Sequence, residues 1–344
     1  MIAEPNLTPA WWVPGAHLQT AWARIARSRR LIAFRRELLV TPDDDDLMLD
    51  HADGAPHATD EARDRVPRVL LLHGLEGSAY SLHTQGLAVL VTRAGWRATV
   101  LNFRSCARDP EQIKRRLRNR QPRLYHSGET GDLDFVVRTL LAREPHAPLY
   151  AIGFSLGGNV LLKWLGEVGD ASPIRAAATI SVPYDLGAAS RYLERPVGRL
   201  YFCHFMRRLK PKALDVIERF PRETAHLDPE RIRAARSFAE FDACVTAPLH
   251  GFDGADDYYQ RASAAGFLSR VRVPTLCVSS EDDPFFPGDA VARSRAAASA
   301  AVSFSVTRWG GHTGFVSGRW PWRPHYWAEE ACLDWLRARH KVVT

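Results

Sequence analysis

The chain has 344 residues, of which 46% are hydrophobic and 25% charged. This composition is typical of a globular protein with one large domain or two smaller ones. Forty-six Lys and Arg against 39 Asp and Glu leave a formal charge of +7, a mild excess that defines no partner. The five cysteines are far apart and form no C-x-x-C pair, which indicates a reducing compartment and argues against a structural zinc site.

The first residues, Met1 to Pro5, lack the basic-then-apolar order of a secretory signal. No stretch approaches the ~18 uncharged apolar residues that a membrane span needs. We therefore expect a cytoplasmic protein. Trp11-Trp12 and the segment from Arg24 to Arg30 together have amphipathic character, which leaves weak peripheral membrane contact open; tryptophans packed onto the domain are the simpler interpretation.

Two extended segments near the start predict an antiparallel hairpin at a sheet edge. They run from Arg35 to Val40 and from Leu47 to His51, and an acidic turn from Thr41 to Asp46 joins them. A calcium loop would need spaced Asp residues, a Gly and a terminal Glu, which this turn lacks. We expect its carboxylates to be solvated.

From Val66 onward, short apolar runs alternate with helix-like stretches, which is the pattern of a parallel sheet with helical crossovers. The fold class is therefore α/β, a mostly parallel central sheet with helices on both faces. We predict strands at 69–72, 99–103, 149–154, 176–182, 275–279 and 302–307, and helices at 81–95, 132–143, 157–167 and 325–339.

The alternation lapses between Pro183 and Val271, where helix-forming stretches replace it. An insertion after the sixth strand lies over the carboxyl edge of such a sheet, so we predict a helical cap there. The expected organisation is an N-terminal segment with the edge hairpin at 1–65, an α/β core at 66–182 and 272–344, and the cap at 183–271.

The pentapeptide Gly153-Phe154-Ser155-Leu156-Gly157 lies between a strand-like run and a helix-like run. This is the setting of a nucleophile elbow, in which two glycines allow a turn tight enough to expose a strained serine. Ser155 is therefore the candidate nucleophile. The alternative role for this serine is to cap the N-terminus of the following helix.

A serine hydroxyl at neutral pH needs a base, and the base needs an acid that holds it in the right tautomer. Loops after two later strands supply both, Glu281-Asp282-Asp283-Pro284 and Gly310-Gly311-His312. His312 is the candidate base. Asp283 is favoured as the acid because Pro284 and the turn that follows would fix its carboxylate, and Asp282 stays open as the alternative.

Acyl transfer also needs N–H donors aimed at the developing oxyanion. The residue after the nucleophile, Leu156, supplies one backbone N–H, and Leu75, in the loop after the third strand, supplies the other. We expect His73 to brace that loop rather than act as a second base. His126 and Ser127 are a second histidine and serine that are adjacent in the sequence, and we interpret them as structural.

With these residues assembled, the chain resembles the YheT-like family of α/β-hydrolases, also called the AB hydrolase 4 family, from about Trp11 to the last helix. The resemblance implies an α/β-hydrolase fold and an esterase whose Ser-Asp-His positions fall on Ser155, Asp283 and His312. Two segments depart from the family pattern, Arg104-Ser105-Cys106 in place of Arg-Gly-Cys and Asp43-Asp44-Asp45 in place of Asp-Gly-Asp. The matching segments are Ala16 to Thr20, His73 to Ser78, Asn102 to Arg104, Leu124 to Thr130, Gly153 to Asn159, Asp282 to Phe285 and Gly310 to Phe315.

We therefore expect a serine hydrolase that works through an acyl-enzyme, with no metal and no organic cofactor. Its partner is a small-molecule ester with an apolar acyl group, either a short- to medium-chain ester or an acylglycerol. A thioesterase or amidase with the same three residues stays open. The other alternative is a non-catalytic scaffold that serves as a ligand-binding or interaction module.

The densest basic stretch runs from Lys114 to Arg123. We interpret it as a solvated helix and expect no nucleic-acid partner, because no recognition motif accompanies it and no aromatic residues interleave with its charges.

Overall fold

A computed structural model of the chain describes residues 7–27, 31–54, 64–109, 111 and 115–343. The expectations for Met1 to Pro5, for the end of the Arg24 to Arg30 segment and for Lys114 lie outside the described residues. No helix within the described ranges is long and apolar enough to cross a bilayer.

The centre of the described chain is an eight-stranded sheet. Its strand order is β1-β2-β4-β3-β5-β6-β7-β8. β1 and β2 pair with each other, and β2 with β4, in antiparallel fashion, whereas all pairs from β4 to β8 are parallel. The strands are β1 Arg35–Val40, β2 Asp46–Ala52, β3 Arg68–Leu72, β4 Arg97–Asn102, β5 Leu149–Phe154, β6 Ala176–Ile180, β7 Thr275–Ser280 and β8 Val302–Thr307.

Helices cover both faces of the sheet, because β3 to β7 are buried on both sides and need apolar partners on each. The hydrophobic cluster on one face includes side chains of α2 (Leu82–Arg93) and α12 (Trp327–Val343). On the other face, the cluster includes side chains of α3 (Gly131–Arg143), α4 (Leu156–Val168) and α11 (Asp289–Ala297). The predicted α/β fold is confirmed.

Between β6 and β7 the chain leaves the sheet and forms a layer of helices, which we call the cap. Its apolar side chains, among them Phe202, Phe205 and Leu209, belong to the same buried cluster as α3 and α4. The cap helices are α5 Leu186–Leu193, α6 Gly198–Arg219, α7 Pro229–Ala234, α8 Phe238–Phe241, α9 Ala247–His250 and α10 Ala255–Ala262, with a π-helical turn at Asp242–Thr246.

The two ends of the described chain meet beside the sheet. The N-terminal helix α1 (Ala16–Ile25) lies near a short antiparallel pair, β9 (Val316–Ser317) and β10 (His325–Tyr326). Because β10 occupies His325 and Tyr326, the last helix begins at Trp327, two residues later than the pattern predicts. The indole N–H groups of Trp11 and Trp12 donate to the carbonyls of Arg319 and Gly318.

The acidic turn of the hairpin is only partly solvated: Asp44 is exposed as expected, whereas Asp43 and Asp45 bind a cation. Arg104, at the end of β4, donates to the carboxylates of Asp43 and Asp45 over 2.8–2.9 Å. Asp45 is fully buried and also accepts from the Asn119 side chain. Arg104 binds Asp132 of α3 as well, so one guanidinium neutralises acids from two distant segments.

The basic stretch is not a helix, which corrects that prediction. Described residues 115–123 are irregular, and Arg116 forms an isolated antiparallel bridge with Arg108. Its arginines bind acids instead: Arg116 pairs with Glu76, Arg118 with Asp215, and Arg123 with Asp43 and Glu129. Partners remote in the chain, rather than local helix bonds, fix its conformation.

Candidate active site

Ser155 stands in the turn between β5 and α4 with φ 49° and ψ −117°, a conformation that is rare for a residue with a side chain. The turn is tight enough that a Cβ on Gly157 would lie 2.5 Å from the carbonyl oxygen of His73, and one on Gly153 2.6 Å from that of Gly157. Only glycine fits both places. The serine side chain makes no helix-capping bond, so the alternative N-cap role is not what the geometry shows.

Three side chains from separate loops meet at the carboxyl edge of the sheet. His312 Nε2 lies 2.9 Å from Ser155 Oγ, and His312 Nδ1 lies 2.9 Å from Asp283 Oδ2. Asp283 and His312 are both buried. With Nδ1–H donating to the carboxylate, Nε2 is left to accept the serine proton, which is the arrangement of a Ser-His-Asp triad.

Burial raises the pKa of Asp283, and the neighbouring imidazole of His312 and the N–H of Phe285 oppose that rise. The Phe285 N–H donates to Asp283 Oδ1 at 2.9 Å, and the Phe285 ring stacks on the imidazole with centroids 3.9 Å apart. The proline turn after the acid therefore holds both the carboxylate and the imidazole.

Asp282 has a different position from Asp283. Its Oδ1 accepts the backbone N–H of Gly311 at 2.9 Å, so it contacts the histidine loop and not the imidazole. Three further side chains hold that loop: Thr20 Oγ1 accepts the N–H of His312, Ser181 Oγ accepts that of Thr313, and Ser280 Oγ donates to the carbonyl of Gly311. Thr20 lies in the matching segment Ala16 to Thr20, but the sequence pattern does not connect it with His312, which is 292 residues away.

The loop after β3 lies directly against the nucleophile, since a Cβ on Gly74 would be 3.3 Å from Ser155 Cβ. His73 braces this loop: it pairs through Nδ1 with the carbonyl of Gly74, and through Nε2 it accepts the N–H of Phe103. Burial lowers the His73 pKa to about 4, which keeps the ring neutral.

Leu75 and Leu156, the predicted oxyanion donors, both line the cavity that contains Ser155. Leu156 is the first residue of α4, where an N–H has no intrahelical acceptor. Within the described chain, neither N–H donates to another group. Next to Leu75, Glu76 has a positive φ of 57°, and its N–H donates to the Tyr125 hydroxyl.

A cavity of about 1000 Å³ opens between this site and the cap. Ser155, His312 and Leu75 form its floor, and cap side chains such as Phe205 and Leu209 form its walls. His126 also lines it, and its ring lies tilted against that of His250 of the cap with ring centroids 4.5 Å apart. Within the described residues, no group of three or more His, Cys, Asp and Glu side chains is arranged to hold a metal ion.

Comparison with protein-family models gives one match, to the alpha/beta hydrolase fold, over residues 67–318. These residues run from just before β3, through the cap, to just after β9. The three loops that carry Ser155, Asp283 and His312 all lie inside the matched range.

Comparison with curated proteins finds several relatives that align with almost the whole chain, among them a bacterial and a mammalian protein. YheT of Escherichia coli strain K12, which carries a provisional esterase name, is 34% identical over 323 residues, or 93% of this chain and 89% of that protein. Phospholipase ABHD3 of Bos taurus is 32% identical over 327 residues, or 94% of this chain and 77% of that protein.

Among solved structures, alpha/beta hydrolase domain-containing protein 10 from mouse superposes with a TM-score of 0.54. It is 11% identical, and the match covers 90% of this chain and 100% of that one. At this identity the likeness concerns the fold alone.

Proposed function

We propose that this chain, which belongs to the α/β-hydrolase family and within it to the YheT-like group, is a serine hydrolase of carboxylic esters. One observation carries the proposal: an unbroken hydrogen-bonded path from Ser155 Oγ through the imidazole of His312 to the carboxylate of Asp283. The names of the relatives, an esterase and a phospholipase, support hydrolysis of ester substrates.

In the proposed mechanism, Ser155 Oγ attacks the ester carbonyl while His312 Nε2 takes its proton. The N–H groups of Leu75 and Leu156 donate to the oxyanion of the tetrahedral intermediate. His312 then returns the proton to the leaving alcohol, and an acyl-enzyme remains. Water attacks the acyl group with His312 again as base, so that the acid is released and Ser155 is regenerated.

The chemistry of the cavity supports esters with an apolar acyl group. Side chains of Leu75, Leu193, Phe205 and Leu209 line it beside the serine. We infer short- to medium-chain esters or acylglycerols as substrates, because such acyl chains bury their methylene groups in a cavity of about 1000 Å³. Thioesters and amides present the same carbonyl to the same groups and are the alternative substrates.

A non-catalytic scaffold is the competing function. It predicts an unreactive Ser155, since binding alone does not require an activated hydroxyl. The strained conformation of Ser155 and its contact with His312 favour catalysis, because strain of this kind is retained where the surrounding structure uses it.

A fluorophosphonate probe distinguishes the two functions. We expect covalent labelling of the wild-type chain and none of Ser155→Ala, with both proteins equally folded by circular dichroism. An unlabelled, folded wild-type chain would contradict the proposed hydrolase. Rates on p-nitrophenyl esters of graded acyl length, and on matched thioesters and anilides, then identify the bond type and the preferred chain.

A further inference from the structure

Four basic side chains gather around one buried carboxylate at the wall of the cavity. Glu76 accepts from Arg116 Nη1 at 2.8 Å on one oxygen and from Lys212 Nζ at 2.6 Å on the other. The Tyr125 hydroxyl also donates to the second oxygen. The carboxylate is thus saturated by two cations and a phenol.

The third cation is Arg108, which faces Arg116 across their isolated antiparallel bridge. Its guanidinium has no acidic partner within the described chain, whereas its carbonyl accepts from Arg36. Burial, Arg116 and Arg208 together lower the pKa of Arg108, the signature of a guanidinium among like charges.

The fourth cation is Arg208 on α6, one helical turn before Lys212 and therefore on the same side of the helix. No acid of the described chain pairs with it. Both Arg108 and Arg208 line the cavity that contains Ser155 and His312.

The charges around Glu76 do not cancel, since four cations against one carboxylate leave three positive charges in excess. Asp242 is the other carboxylate among the described lining residues, and it is engaged by the hydroxyls of Tyr259 and Thr246. The cavity therefore has an apolar wall and a cationic wall. The cationic wall surrounds Glu76, the residue after Leu75.

We propose that Arg108 and Arg208 form an anion subsite that binds a phosphate or carboxylate group of the ester substrate. This inference rests on the proposed ester hydrolase. Guanidinium groups bind both kinds of oxyanion through paired N–H donors, and such charge-assisted hydrogen bonds are among the strongest in proteins. An amphiphilic ester then lies with its acyl chain on the apolar wall and its anion on the cationic wall.

Two matched pairs of esters test the subsite and identify the source of the anion. In the first pair, mono-p-nitrophenyl suberate differs from p-nitrophenyl octanoate by a carboxylate on the acyl side. In the second pair, octanoyl-glycerol 3-phosphate differs from octanoyl-glycerol by a phosphate on the alcohol side. For each pair, the measured quantity is the ratio of kcat/KM for the anionic ester to kcat/KM for the neutral one.

We expect Arg108→Gln and Arg208→Gln each to lower this ratio about tenfold in at least one pair, as the loss of a charge-assisted contact predicts. Arg207→Gln is the matched control, because Arg207 is the neighbour of Arg208, is exposed as Arg208 is, and does not line the cavity. The control leaves both ratios at the wild-type value. Thermal unfolding of each variant checks that the fold is retained.

Unchanged ratios in both pairs for both variants would overturn the inference. A second outcome would also overturn it: the ratios stay constant, but inorganic phosphate inhibits p-nitrophenyl octanoate hydrolysis in a way that depends on Arg108. The cluster would then bind a free ion and not the substrate. A wild-type chain that hydrolyses none of the four esters contradicts the proposed function itself, a result distinct from either of these.

Discussion

Asp282 and Asp283 are adjacent, yet they hold the histidine loop through different groups. Asp283 accepts the imidazole Nδ1–H, and Asp282 accepts a main-chain N–H of the same loop. A carboxylate charge matters in the first position, because it stabilises the imidazolium that forms when His312 takes the serine proton. In the second position, any side-chain oxygen acceptor suffices.

Substitution by asparagine separates these two roles. We expect Asp283→Asn to lower kcat by about 10³–10⁴-fold, as loss of the acid does in other Ser-His-Asp enzymes. Asp282→Asn keeps an acceptor for Gly311, so its kcat stays within about threefold of wild type. Steady-state rates on a p-nitrophenyl ester measure both; equal losses in the two variants would show that the acid is not assigned correctly.

Residues that act through their own side-chain chemistry were predictable from the sequence. Ser155 and His312 each lie in a short glycine-flanked motif after a strand, and the turn after Asp283 favoured it over Asp282. The contacts of Thr20 and Ser181 with the histidine loop were not predictable, since each contributes one hydroxyl to a loop that is remote in the chain. A single hydroxyl has no spacing that a pattern can detect.

At the scale of elements, the elbow depends on how closely β3 approaches the start of α4. A Cβ on Gly157 would meet main-chain oxygens of Leu72 and His73 at 2.5–2.6 Å, and main chain in a central strand has little room to move. The same close approach brings the loop with Leu75 to the serine. The contact between β3 and α4 therefore affects both the stability of the fold and the position of the proposed oxyanion donor.

We expect Gly157→Ala to lower the free energy of unfolding by about 2–3 kcal/mol, the usual cost of overpacking, and to abolish labelling of Ser155 by a fluorophosphonate. Gly266→Ala is the control, because a Cβ there has no neighbour within 4 Å, and its effect stays within about 0.5 kcal/mol. Urea unfolding measures both. Equal stability of the two variants would mean that the elbow has more room than these distances allow.

Most core elements were predictable because each strand is a short apolar run and helix-like stretches separate them; α11 was not predicted. Predicted and observed strand limits differ by at most two residues; the sixth strand, for example, ends at Ile180. The prediction of a helix for the basic stretch was wrong for a physical reason. Ion pairs with distant acids such as Glu76 and Asp215 set its conformation, and a local pattern contains no information about them.

Across the whole molecule, Arg104 joins the hairpin turn, the end of β4 and the start of α3. Its side chain is 2% exposed and binds Asp43, Asp45 and Asp132. The hydrogen bonds from Arg104 hold the pKa of Asp43 well below its usual range. Removal of this cation leaves carboxylates buried without compensation, which is far more costly than loss of a surface pair.

We expect Arg104→Met to lower the free energy of unfolding by about 3–5 kcal/mol. Arg138→Met is the control, since Arg138 is 77% exposed and pairs with Asp134 one turn away on the same helix, a contact worth about 0.3–0.5 kcal/mol. Chemical denaturation at neutral pH compares the two. A loss below about 1 kcal/mol for Arg104→Met would show that the buried acids find other partners.

The hydroxyl of Thr20, near the beginning of the chain, supports the main chain of His312, near its end. During biosynthesis, Thr20, the nucleophile, the cap and the acid are all made before His312, the last member of the site. The proposed reaction therefore becomes available only after the segment with Thr20 has docked against the His312 loop. Recovery of turnover during refolding would then report the last step of assembly, later than any spectroscopic signal from the sheet.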